Sequence, residues 1–167
     1  FGRAFTAEAL AALADPSWTV ADLGCGTGDA ASLLAASVKK VIAVDREPAM
    51  LRAARKRLED TENVDFHAAD LESLPLETAS VDVAFILLVL HHLEDPQKAV
   101  NEAARILKPN GTLVVVDMTP HERKEYRELM AHRHLGFSAD QLKEWTKHCP
   151  LDLAHSRPSV SYTHLTL

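Results

Sequence analysis

Three glycines at alternate positions, Gly24, Gly26 and Gly28, break the run VADLGCGTGD at residues 20–29, between an apolar segment and an Ala-rich one. Glycine at that density supports neither a strand nor a helix well. It suits a tight turn, where backbone without Cβ atoms can approach a ligand closely. A helix opening beside the turn would point unpaired N–H groups at the same place. What the turn serves depends on its flanks.

The flanks alternate between two periodicities. Residues 18–23 form a compact apolar strand, and residues 29–37 read as a helix after the turn. Residues 41–44 are apolar without alternation, which suits a strand covered on both faces in a parallel sheet. Pro48 fits a first helical position, with Met50, Leu51, Ala54 and Leu58 as the buried stripe. Residues 64–69 and 82–88 give two more strands. Asp95-Pro96 opens a helix whose inner face is Ala99, Ala103, Ile106 and Leu107, closed by Asn110-Gly111. Residues 112–116 are a fifth strand. This order predicts a doubly wound, Rossmann-like, mostly parallel α/β sheet with right-handed crossovers.

The ends are less regular. Residues 6–14 read as a short helix with Thr6 as N-cap, and residues 121–135 as a polar-faced helix carrying Tyr126, Leu129 and Met130. Ser138 and Gln141 form a capping box for a further helix holding Leu142 and Trp145. Residues 151–154 could be a sixth strand. Residues 1–158 are expected to form the domain, with its C-terminal sheet edge incomplete; residues 159–167 are an irregular tail, expected to be non-native. The start at Phe1 rather than Met fits a fragment.

Composition excludes several classes. Across 167 residues the net charge is −6, and Lys and Arg are interspersed with acids, which disfavours a nucleic-acid surface. The apolar run at residues 83–90 is far too short to span a bilayer, and no signal-peptide pattern opens the chain. Two cysteines, Cys25 in the glycine turn and Cys149 before a proline, give no disulfide framework and point to a reducing cytoplasm.

Ligands of such sheets lie outside the carboxyl ends of the strands. Asp22, Asp45, Asp70 and Asp117 fall at or near those ends. Asp45 lies 21 residues beyond Gly24, the separation at which a second-strand carboxylate meets ribose hydroxyls. Asp70 could accept from the exocyclic amine of a base. A dinucleotide fingerprint needs its third glycine at position 29, where Asp29 would repel a pyrophosphate. No Gly-Lys-Ser/Thr follows, so the turn is not a P-loop. A nucleoside with a zwitterionic arm and a positive sulfonium fits better.

At these residues the chain resembles class I S-adenosylmethionine-dependent methyltransferases, of the methyltransferase type 11 or UbiE-like group. VADLGCGTG, VIAVD, HAADLESLP and VLHHLEDP with a helix ending in LKPNG match the order of that family's motifs over residues 5–117. The resemblance implies the strand order 3-2-1-4-5-7-6, though no convincing seventh strand is present here. It implies that Gly24 and its neighbours Asp22, Cys25, Gly26 and Gly28 line the methionine end of the cofactor. Asp45, with Arg46 beside it, would hold the ribose; Asp70 with Leu71 would flank the adenine, and backbone around Leu87 would close the methionine side. Residues 117–137 resemble, less closely, bacterial methyltransferases fused behind an ArsR-type winged-helix domain. This implies an N-terminal DNA-binding domain outside these residues.

Individual residues leave alternatives. Asp22 either orients the glycine loop or touches the ligand, and Cys25 reads as a small packing residue. Asp45 and Asp70 could also be turn caps. His91 and His92 stand where a methyl acceptor would approach, and one could act as general base. The plainer reading, which we prefer, is packing at a strand–helix junction. His121, His132 and His134 lack cysteines or a His-x-x-x-His pairing, and His132 and His134 would point to different helix faces, so no metal site is expected. Tyr126, Arg127 and Trp145 read as packing and solvated charge. The expected activity is methyl transfer to a small molecule, since no Asp/Asn-Pro-Pro-aromatic stretch follows the fourth strand. The alternatives are a non-catalytic S-adenosylmethionine sensor in a transcriptional regulator and a nicotinamide-dependent oxidoreductase.

Overall fold

The structure, a computed structural model, describes residues 14–147 together with Ala11, Cys149 and Leu151. The expected helix at residues 6–14, the strand at 151–154 and the tail lie largely or wholly outside the described residues.

Strands β1 (Thr19–Leu23), β2 (Lys40–Asp45), β3 (Val64–Ala68), β4 (Val81–Leu87) and β5 (Leu107–Val116) form one sheet in the order β3-β2-β1-β4-β5. Every pairing in it is parallel. This is the expected doubly wound arrangement, and its order reverses between β1 and β4. Because side chains alternate across a strand, the apolar runs divide into two cores. On one face Ala21, Leu23, Ile42, Val44, Ala84 and Ile86 pack beneath helix α3 (Pro96–Ile106), which contributes Ala99, Val100, Ala103 and Ile106. On the other, Val20, Val41, Ala43, Val83 and Phe85 meet α1 (Asp29–Ala35) and α2 (Pro48–Arg57). Burying such side chains contributes about 1.5–3 kcal/mol each for the larger ones, which is why alternation is unnecessary in these strands.

The caps follow their expected chemistry. Asp95 accepts the Lys98 amide at 3.0 Å to open α3. Ser138 and Gln141 complete the predicted capping box at the start of α5 (Ala139–Thr146).

Two expectations need correction. Asn110-Gly111 does not close α3: the helix stops at Ile106 and Leu107 pairs directly with Val81. The register then jumps to Val83 opposite Thr112, so residues 108–111 loop out opposite Asp82. Pro109 favours extended chain, and Lys108 fills the bulge by placing its ammonium 2.8 and 2.9 Å from the Asp82 oxygens. Residues 121–135 also do not form one long helix. Only α4 (Glu125–Leu129) is helical there, with none of its residues buried. A segment without a continuous apolar stripe has no face to dock, and these side chains find other partners.

Candidate functional site

At the carboxyl ends of β1, β2, β3 and β4, beside the point where strand order reverses, the chain leaves a cleft of about 320 Å³. That is within the range of small-ligand sites. Of the residues named from the sequence as cofactor-binding, Gly24, Gly26, Asp45, Arg46, Asp70 and Leu71 line it. Glu47, Met50, Leu88, Val89, His92 and Leu93 complete the walls.

The glycine turn is fastened by backbone. The amides of Gly24 and Cys25 both donate to the Val44 carbonyl, at 2.8 and 2.9 Å. The Gly26 amide donates to Asp45 Oδ2 at 2.8 Å, while Asp45 Oδ1 accepts the Glu47 amide at 2.9 Å. Asp45 therefore ties the end of β2 to the loop after β1. Its remaining lone pairs are available to hydroxyl donors. Asp70 is a turn cap in the same way, accepting the Glu72 amide at 3.0 Å.

Gly24 has φ +82, and a Cβ there would stand 2.5 Å from Val89 Cγ2. Gly28, at φ +79, starts α1, and its missing Cβ admits Ala54 at 3.1 Å. The first glycine thus shapes the cleft, whereas the third brings α1 against α2. Asp29 is held by Thr27 Oγ1 at 2.7 Å and by Arg57 at 3.1 Å. Gly28, Asp22, Cys25 and Leu87 do not line the cleft; the last three are buried in or behind the strands. Leu88, not Leu87, reaches the cleft wall. It does so at φ +56, a left-handed conformation uncommon for leucine, held by its amide on Val116 O at 2.7 Å. Nothing in the residue type signals that conformation, and sequence reasoning missed it.

The opposite wall belongs to histidines. After β4 a 3-10 turn, Leu90–His92, buries His91 and leaves His92 half-buried on the cleft. His91 Nδ1 donates to Asp117 Oδ1 at 2.7 Å, because an ionised carboxylate can only accept. The chain then folds back: the amides of Arg133 and His134 donate to the His91 carbonyl at 2.9 and 3.1 Å. This carries His132 against the pair, its ring centroid 4.3 Å from that of His91 and 5.0 Å from that of His92. His132 is 5% exposed. Burial, with His91 and His92 nearby, pushes it down to about 4. Burial and His91 also lower His92. Sequence spacing compared His132 with His121 and His134; the fold instead groups it with His91 and His92.

The lining chemistry bears on what the cleft can hold. Three acids, Asp45, Glu47 and Asp70, face one basic group, Arg46, which is itself half-exposed and 3.5 Å from Glu47. An acid-lined cleft with a backbone cradle suits a cationic nucleoside and disfavours a pyrophosphate.

The fold and this cleft define a doubly wound nucleoside-binding domain. Residues 21–115, more than half of the chain, match the family described as a methyltransferase domain, and the chain belongs to that family. An uncharacterized 37.1 kDa protein of a Streptomyces fradiae transposon is 39% identical over 117 residues, covering 68% of this chain and 34% of its own length. The demethylmenaquinone methyltransferase of Clavibacter sepedonicus is 35% identical over 117 residues, covering 70% and 47% respectively. The solved YcgJ protein of Bacillus subtilis superposes with a TM-score of 0.76 at 26% identity, over 87% of this chain and 66% of that one. The chain spans about a third to a half of the length of the curated relatives it matches. The family's cofactor is S-adenosylmethionine, whose positive sulfonium and amine fit the acid-lined cleft. No helix among the described residues is long and apolar enough to cross a membrane.

Proposed function

We propose that the domain transfers a methyl group from S-adenosylmethionine to a small-molecule acceptor, in the cytoplasm. The observation that carries this reading is the acid-lined cleft beside the glycine turn, at the reversal of strand order. The demethylmenaquinone methyltransferase relative supports a small-molecule acceptor.

When bound, the cofactor supplies an activated methyl group, so the protein's task is to position partners and exclude water. Asp45 would accept both ribose hydroxyls on the lone pairs its two backbone donors leave free. Asp70 and Leu71 would flank the base, and Gly24 and Gly26 would place backbone groups against the amino-acid arm. The acceptor would enter along the wall of Val89, His92 and Leu93, in line with the methyl group. His92, half-buried and with its pKa lowered by burial and by His91, would form part of the wall against which the acceptor packs.

Calorimetry with S-adenosylhomocysteine and with NAD tests the cofactor, with binding expected only for the former. Transfer of labelled methyl into the small-molecule fraction of a bacterial extract tests the rest. NAD binding without a response to the homocysteine ligand would overturn the reading, as would label entering only nucleic acid.

A further inference from the structure

Three imidazoles from two distant segments meet at the His91–His92 turn, and methyl transfer has a use for at most one of them. One nitrogen from each of His91, His92 and His132 can be chosen so that all three lie within 4.8 Å of one another. The rings are tilted, not stacked: 46° between His91 and His92, 54° between His91 and His132, and 87° between His92 and His132.

Their other nitrogens are arranged asymmetrically. His91 donates its Nδ1–H to Asp117, and His92 Nδ1 faces the Ala131 carbonyl at 3.4 Å. In both, Nε2 is then the nitrogen with a free lone pair. A carboxylate or carbonyl behind the ring is the partner that orients metal-bound histidines and raises their basicity. His132, almost wholly buried, has a buried Nδ1 with no hydrogen-bond partner. An imidazole nitrogen left dry and unbonded is costly unless something else occupies it. Asp117, with its side chain 3% exposed, likewise has Oδ2 unpartnered, leaving anionic charge beside the rings.

We propose that His91, His92 and His132 form a binding site for a divalent transition metal of the zinc class, with Asp117 positioning His91 behind it. Imidazole donors suit zinc, copper, iron and nickel and not magnesium or calcium, which take oxygen. Zn–N bonds of 2.0–2.1 Å in a tetrahedral site set ligand nitrogens about 3.3 Å apart. The rings need to close by roughly an ångström and a half at most, within the reach of χ rotations of side chains joined to a loop and a 3-10 turn. Three protein ligands leave a fourth position. Since His92 lines the cleft, that position lies at the cleft wall and takes water or an oxygen or sulfur donor from a small molecule. The site stands on these side chains and does not depend on which cofactor the cleft holds.

The test is titration of the chelator-stripped chain with Co²⁺, followed by its visible d–d bands, and displacement by Zn²⁺. We expect one equivalent bound with a four- or five-coordinate spectrum. X-ray absorption of the zinc form should show imidazole ligands and no sulfur. His132→Gln and His92→Gln should each abolish stoichiometric binding while circular dichroism shows a folded chain. Asp117→Asn should weaken binding by about 10–100-fold without changing the ligand set, as for a positioning residue. His67→Gln, on β3 away from the cluster, should leave binding intact. No stoichiometric binding by the folded wild-type chain, or binding that survives both His132→Gln and His92→Gln, overturns the proposal.

Discussion

The two walls of the cleft are built from different materials. The wall after β1, β2 and β3 is mostly backbone: amides of the glycine turn on the Val44 carbonyl, and carboxylates that each accept from a nearby amide. The wall after β4 and β5 is mostly side chain, with His91 on Asp117, His92 facing Ala131, and His132 against both. The first uses groups every residue carries, so it demands particular residues only where Cβ must be absent or a carboxylate must cap. The second depends on the identity of each side chain. Its bonds join residues 26 and 39 positions apart, against 19 for the Gly26–Asp45 tie.

The largest effect should therefore come from the side-chain wall. His91→Ala leaves the buried Asp117 carboxylate with the Met118 amide as its remaining donor and opens a cavity where the buried ring stood, which together cost about 3–5 kcal/mol. Urea denaturation in the presence of chelator, which removes any metal contribution, measures this. A loss below about 1 kcal/mol would mean that the wall does not rest on this pair.

The backbone wall should break at Gly24. Alanine there must adopt φ +82 and push aside Val89, which its Cβ would meet at 2.5 Å. A left-handed non-glycine residue and local overpacking together cost about 2–4 kcal/mol. Gly28→Ala meets a softer contact, at 3.1 Å, and should cost less. Equal losses in the two variants, measured by thermal unfolding, would remove the distinction between a glycine that shapes the cleft and one that packs two helices.

This contrast also explains what could be read from the sequence. The glycine turn, the strand ends with Asp45 and Asp70, and the Ser138–Gln141 cap are short-range patterns, and the sequence predicts all of them. The parallel sheet followed because unbroken apolar runs need cover on both faces, whereas the strand order was implied by the resemblance to the methyltransferase family. The histidine wall was not legible, because His132 reaches His91 through a chain reversal that only tertiary hydrogen bonds hold. A helix over residues 121–135 would place His132 and His134 on different faces and relate neither to His91 and His92, whereas only Glu125–Leu129 is helical. Leu88 and Val89 shape the cleft by a left-handed backbone and by contact with Gly24, neither of which leaves a mark on residue type.

Asp45→Ala separates two tasks of one carboxylate. If it holds ribose hydroxyls, cofactor affinity should fall by about 1.5–3 kcal/mol, the worth of hydrogen bonds to a charged group. Asp45→Asn keeps one oxygen acceptor and should lose less. Calorimetry with S-adenosylhomocysteine gives both values. An unchanged dissociation constant in a folded Asp45→Ala variant would leave Asp45 with its loop-tying role alone.

The smallest effect probes a part of the backbone wall that is itself held by side chains. The loop leaving Asp70 is fastened to α3 by Glu102, which accepts the Leu74 amide at 2.8 Å and two Arg105 N–H groups at 2.8 Å each. Arg105 in turn donates to the Leu74 and Leu76 carbonyls at 3.1 and 2.8 Å. The Arg105 side-chain hydrogen bond holds Glu102 below its ordinary value of 4.5, outweighing the opposing effect of burial. A depressed carboxylate pKa contributes stability that is fully present above the unfolded value and is lost as pH falls through the folded one. Glu102→Gln should cost about 1 kcal/mol at pH 7, below the roughly 1.5–3 kcal/mol of buried charged hydrogen bonds because both side chains are partly exposed. The difference between wild type and variant should begin to shrink as pH drops below about 4.5 and vanish below the folded pKa. Urea midpoints measured across that window check it. A difference that persists unchanged at the lowest pH would show that the loop is held by shape and not by the ion pair, which would make this wall backbone-built throughout.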